Sequence, residues 1–217
     1  MTNAVAKSVR LLRYHLARFS RRSEGLAAIE FAMILPLMLV TLFGMIGTTS
    51  AISIDRKVTL IARTLSDLTS QGSIVTGTGT GTDISNFFQI GRAMLTPYNS
   101  VQNPFSGGPL KMTITEIYIN PTSGAARVQW SWGDVQRAVG SVVTTMPTDL
   151  IGKDASGKVL PDQYFILSEV SYLYAPSILP GVATVQLKES TYTRPRLSKP
   201  VCVLYNPGSA SDPCPTN

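Results

Sequence analysis

The apolar and polar positions change register along the chain, and each change predicts an element. Residues 31–54, FAMILPLMLVTLFGMIGTTSAISI, run for 24 positions without a formal charge. About 20 apolar residues cross a bilayer core as a helix, so this run predicts one membrane span. Beyond it, Val58, Ile61, Ala62, Leu65 and Leu68 recur at helical spacing, with Arg56, Lys57, Arg63 and Asp67 largely off that stripe. One helix is therefore expected over about 27–70, its later stripe packing on a folded head. Pro36 lies inside the span and is read as an incidental kink.

After Gly72 the pattern breaks up. The stretch GTGTGT lacks the Lys-Ser/Thr of a phosphate-binding loop and reads as a surface loop. A short helix is expected at 83–95, capped by Asp83, with Ile84, Phe87, Phe88, Ala93, Met94 and Leu95 on its apolar side. Residues 97–109 carry loop breakers. Residues 110–119 and a segment in which Val128, Trp130 and Trp132 alternate with polar neighbours predict a hairpin. Residues 134–141 predict a helical turn and 154–157 a turn. Residues 163–174 and 182–193 predict a second hairpin. The sum is an α+β fold, a long N-terminal helix with a small antiparallel β-sheet head, whose strand order the sequence leaves open.

Charge changes the picture at the N-terminus. The net charge is +6. Six of the 19 Lys and Arg and one of the 13 Asp and Glu fall in residues 1–25, which leaves 13 basic against 12 acidic residues elsewhere. The basic character belongs to a leader, which argues against a nucleic-acid-binding head. The same asymmetry puts the N-terminus in the cytoplasm and the head across the membrane.

The single histidine, His15, also lies in the leader. The head thus lacks the commonest general base and zinc ligand, and its carboxylates (Glu116, Asp134, Asp149, Asp162, Glu169, Glu189) show no catalytic spacing. No enzyme activity, metal or cofactor is expected. Cys202 and Cys214 read as a disulfide closing a short loop in an oxidising compartment, contributing roughly 2–3 kcal/mol. Trp130 and Trp132 are assigned to one strand face, as core or as a sugar or protein contact. Arg194 and Arg196 flank Pro195 at the chain exit, where they contact the head, an acidic partner or solvent.

One carboxylate stands out. Glu30 adjoins the uncharged run, where a charge costs up to roughly 2.5–3.5 kcal/mol at full membrane depth and less near the interface. A cut after Gly25 would give Leu26 a free amine, substantially cationic at neutral pH. Such an amine is placed to pair with Glu30 of a neighbouring subunit. The segment RRSEG-LAAIEFAMILP (21–36) resembles the processing motif of type IV prepilins, and in particular the TadE/TadG-like minor pilins of the Tad (Flp, type IVc) system. The motif residues are Gly25 at the cut, Leu26 as the new N-terminus, Glu30 at the fifth position and Phe31 at the sixth. Phe31, and the size of the head, fit minor pilins rather than the short major ones. EVSYLYAP (169–176) and ESTYTRPR (189–196) share the texture of the family's C-terminal strands.

The resemblance implies residues 1–25 as a prepilin leader, 26–70 as a transmembrane and stem helix, 71–196 as a periplasmic α+β head and 197–217 as a disulfide-stapled tail. It implies a minor pilin or pseudopilin in the bacterial inner membrane that initiates, caps or decorates a Tad-type filament and supports adhesion. Its partners would be other pilins, a prepilin peptidase, the assembly platform and the lipid bilayer, with no nucleic acid. Two readings without processing at Gly25 compete: a secretory signal cut near Thr49-Ser50-Ala51, and an unprocessed single-pass envelope protein that binds a partner or ligand through its head.

Overall fold

The computed structural model describes residues 24–77, 82–98, 108–176 and 184–204. The leader up to residue 23, the Gly-Thr stretch 78–81 and Cys214 with the end of the tail lie outside them. The chain divides into two compact units, Met1–Thr49 and Ser50–Asn217.

Helix α1 (Glu24–Ser70) supplies both units. It is continuous through Pro36 and starts slightly earlier than the hydrophobic pattern predicts. In the first unit its large apolar side chains from Leu26 to Ile46 are exposed. In the second unit Ile54, Val58, Ile61, Ala62 and Leu65 are buried, and Leu68 is half-buried. The expected stripe is therefore the face that packs on the head.

That head comprises β1 (Ile74–Thr76), α2 (Asp83–Met94), β2 (Leu110–Ile119), β3 (Ala126–Gly133), β4 (Gln163–Tyr174), β5 (Val185–Thr193) and β6 (Cys202–Leu204). Four antiparallel strands make one sheet in the order β3-β2-β4-β5. Each expected hairpin forms, and the long β2–β4 pairing joins them. On β2, the pleat sends Leu110, Met112 and Ile114 into a core under α1 and α2, and Ile117 and Ile119 into a second core on the opposite face. The first core holds Phe88, Ile61, Leu65 and Trp130, each such side chain contributing about 1.5–3 kcal/mol on burial. The second is closed by Val143 and Met146 from the β3–β4 connection.

Three expectations are corrected. Val128 and Trp130 have the same parity yet enter different cores. The register passes from Glu116↔Trp130 to Ile117↔Val128, so Gln129 is an extra residue in a β-bulge that switches the strand's face. Second, residues 134–141 form no helical turn. The N–H groups of Asp134, Val135 and Arg137 donate instead to Met112 O, Thr113 Oγ1 and Ser131 Oγ, so strand atoms hold the segment down. It departs through Gly133, at φ 137°, where an added Cβ would lie 2.2 Å from Met112 O.

Third, Asp83 is not the cap of α2. Thr82 accepts from Ser85 N, while the Asp83 carboxylate accepts from the backbone N–H and hydroxyl of Thr76 and so ties α2 to β1. The start of the tail also joins the head. Val201, Cys202 and Val203 are buried, and β6 pairs in parallel with β1 through Ile74↔Cys202. The two-arginine exit is anchored to the head. Arg194 donates to Leu150 O and lies 5.1 Å from the Phe165 ring centroid. Arg196 pairs with Asp67 and donates its backbone N–H to Ser70 O.

Candidate functional site: the exposed N-terminal helix

Gly25, Leu26, Glu30 and Phe31 occupy the first turns of α1. Leu26 and Glu30 are i and i+4, on one face with about 6 Å of rise between them. Leu26, Ile29 and Phe31 are each 60–62% exposed, so these turns of the helix have no cover among the described residues. Glu30 is exposed and forms no hydrogen bond or ion pair among the described residues.

The local chemistry suits a lipid environment. An 18-residue stretch of this helix has a mean hydropathy of 2.3 and none of it is buried. In hydrocarbon every polar group needs an internal partner. Thr41 Oγ1 donates to Met38 O, Thr48 Oγ1 to Gly44 O and Met45 O, and Thr49 Oγ1 to Met45 O. These hydroxyls are satisfied by the helix itself, and the mildly polar stretch at 47–50 does not interrupt it. A contiguous apolar surface of this size is not left to water.

Residues 25–64 match the family model described as TadE-like protein. This segment is TadE-like. The match begins at Gly25 and includes Leu26, Glu30 and Phe31. It ends within the buried stripe of α1, so the TadE-like segment comprises the exposed helix and much of the part that packs on the head. The match relates this segment to TadE-like proteins, and its helix is long and apolar enough to cross a membrane. Searches of curated proteins and of solved structures found no match.

Three of the head's scattered carboxylates, Glu169, Asp134 and Glu116, are engaged separately. Glu169 receives two hydrogen bonds from Arg137, Nε–Oε2 at 2.8 Å and Nη2–Oε1 at 2.6 Å. Asp134 accepts from Met112 N at 2.9 Å and lies 3.9 Å from Arg92, where burial lowers the guanidinium pKa against the pull of that carboxylate. Glu116 is fully buried at the sheet centre and accepts from Val201 N at 2.6 Å. Desolvation pushes its pKa up to about 8, with hydrogen bonds from Val201 and Trp130 acting in the opposite direction. Trp130 Nε1 also donates to Val201 O at 2.8 Å, so Glu116 and Trp130 together clamp the returning tail.

That clamp was invisible in sequence because its members are far apart along the chain. Among the described residues, no group of three or more His, Cys, Asp or Glu is disposed to hold a metal ion. Cys202 is buried on β6, and the expected partner Cys214 lies outside the described residues.

Proposed function

We propose that this chain is a minor pilin or pseudopilin of a Tad-type pilus, a structural subunit rather than an enzyme. The observation that carries the reading is the exposed apolar helix whose TadE-like match opens at Gly25 and includes Glu30. In this reading a prepilin peptidase removes residues 1–25 at the cytoplasmic face. The mature chain stays in the inner membrane with its head in the periplasm until the assembly platform extracts it. There it initiates, caps or decorates the filament and supports surface adhesion.

Glu30 is the central residue of the assembly step. Its carboxylate has no partner in its own chain among the described residues, and an ion left unpaired at membrane depth is strongly disfavoured. The amine of Leu26 on an adjacent pilin supplies the opposite charge and fixes the axial register. Oxidation in the periplasm joins Cys202 to Cys214 and staples the tail beyond β6. Glu30→Ala should therefore be processed normally, yet enter sheared filaments poorly when expressed with a complete Tad machine. Immunoblotting of membrane and filament fractions reads both steps. Normal incorporation of the variant would remove the pairing role.

A further inference from the structure

The outer face of the sheet is covered by its second core at one end only. At the other end lies an open groove of about 500 Å³, bordered by β2, β4, β5 and the segment after β3. Lys111, Ser171 and Lys188 stand in register across its floor, as Lys111↔Ser171 and Ser171↔Lys188. The next row is Thr113, Glu169 and Ser190. Both lysines are exposed, and neither forms an ion pair or hydrogen bond among the described residues. Glu169, the acid of the second row, is already held by Arg137 on the groove wall. Glu189 borders the groove too, but it is registered with Val170, a residue of the helix-side core, so the pleat assigns it to the opposite face. Among the described residues, these two ammonium groups therefore remain unneutralised on this face.

We propose that this groove docks an acidic, extended segment of a partner protein. The lysines stand two strands apart, roughly 10 Å between Cα atoms. On an extended chain, side chains that share a face are two residues apart, about 6.8 Å, and the long lysine stems span the remaining difference, so a segment with acids at alternate positions suits the pair. Between and beside them, the hydroxyls of Thr113, Ser171 and Ser190 and the amide of Gln186 line the groove, and an extended peptide brings backbone N–H and C=O groups that need such partners. Val135 supplies a small apolar wall, and among the described residues the groove is lined by no aromatic ring on which a sugar would stack. The volume lies within the usual range for ligand sites. This docking is independent of the membrane segment and of processing at Gly25.

The test uses the full-length chain in detergent micelles and a fluorescein-labelled peptide of alternating aspartate and glycine, read by fluorescence anisotropy. Saturable binding is expected, weakening about threefold to thirtyfold in K111A/K188A, since each exposed ion pair is modest. The K111R/K188R protein should retain binding. The matching asparagine–glycine peptide should not bind, and about 0.3 M salt should reduce the affinity. Undiminished binding by K111A/K188A would move the interaction to the basic leader and overturn the proposal, as would absence of binding. An oligo-uronate that competes better than the peptide would overturn the assignment to a protein partner.

Discussion

Replacing Glu116 by glutamine should make the head more stable, and increasingly so as pH rises. Among the described residues the fully buried carboxyl has no ion pair, its Oε1 engaged by Val201 N and its Oε2 without a hydrogen-bond partner. Its pKa rises from 4.5 to about 8 on folding. Below pH 4.5 both folded and unfolded states carry the proton, and the shift costs nothing. Between 4.5 and about 8 the folded state binds more protons than the unfolded state, so stability falls as pH rises. Above that window both states are ionised and the penalty is constant at about 5 kcal/mol. Glutamine keeps an acceptor for Val201 N and cannot ionise. Denaturant titrations of the full-length chain in detergent, followed by tryptophan fluorescence, measure both proteins, since Trp130 is buried in the same clamp. The advantage of E116Q should be small at pH 4 and grow by about 3 kcal/mol by pH 7. A difference that stays constant with pH, or one that favours the native glutamate at pH 8, would refute the buried-acid reasoning.

The remaining predictions probe backbone, tail and leader. Gly133→Ala should lose about 1–3 kcal/mol from its positive φ alone, and more from the contact with Met112 O, whereas Gly140→Ala, also at positive φ but in open space, should lose less; thermal melts compare them. In periplasmically exported protein, reduction should add two hydrogens to the intact mass, and C202S/C214S should melt lower by roughly 2–3 kcal/mol; an unchanged mass would exclude the disulfide. Gly25→Leu should block prepilin-peptidase processing, leaving a full-length band on immunoblots, because the scissile position requires a small residue.

Elements with a sustained period were legible in the sequence. The stripe Val58, Ile61, Ala62 and Leu65 marked the packed face of α1, and β2 and β4 matched their predicted bounds because β-branched and aromatic residues fill six of the ten positions in β2 and six of the twelve in β4, between clear breakers. Short or non-periodic features were not legible. Strands β1 and β6 have three residues each, too few to show a period, and exist because they pair with each other across the head. The bulge at Gln129 leaves local composition unchanged while reversing the side-chain faces on either side of it. Residues 134–141 carry apolar spacing that reads as helical, but Thr113 and Ser131 capture the N–H groups of Val135 and Arg137.

The candidate site divides in the same way. Gly25, Leu26, Glu30 and Phe31 could be named from a local motif because they are contiguous on one helix end. The Glu116–Val201–Trp130 clamp and the Arg137–Glu169 pair join residues dozens of positions apart, and only folding brings them together.

The N-terminus of the mature protein tests the central claim most directly. Protein extracted from membranes of cells that express a prepilin peptidase should begin at Leu26 by N-terminal sequencing and intact mass, and should retain residues 1–25 when the peptidase is absent. A chain that keeps its leader with the peptidase present, or that begins after Ala51, would contradict the account.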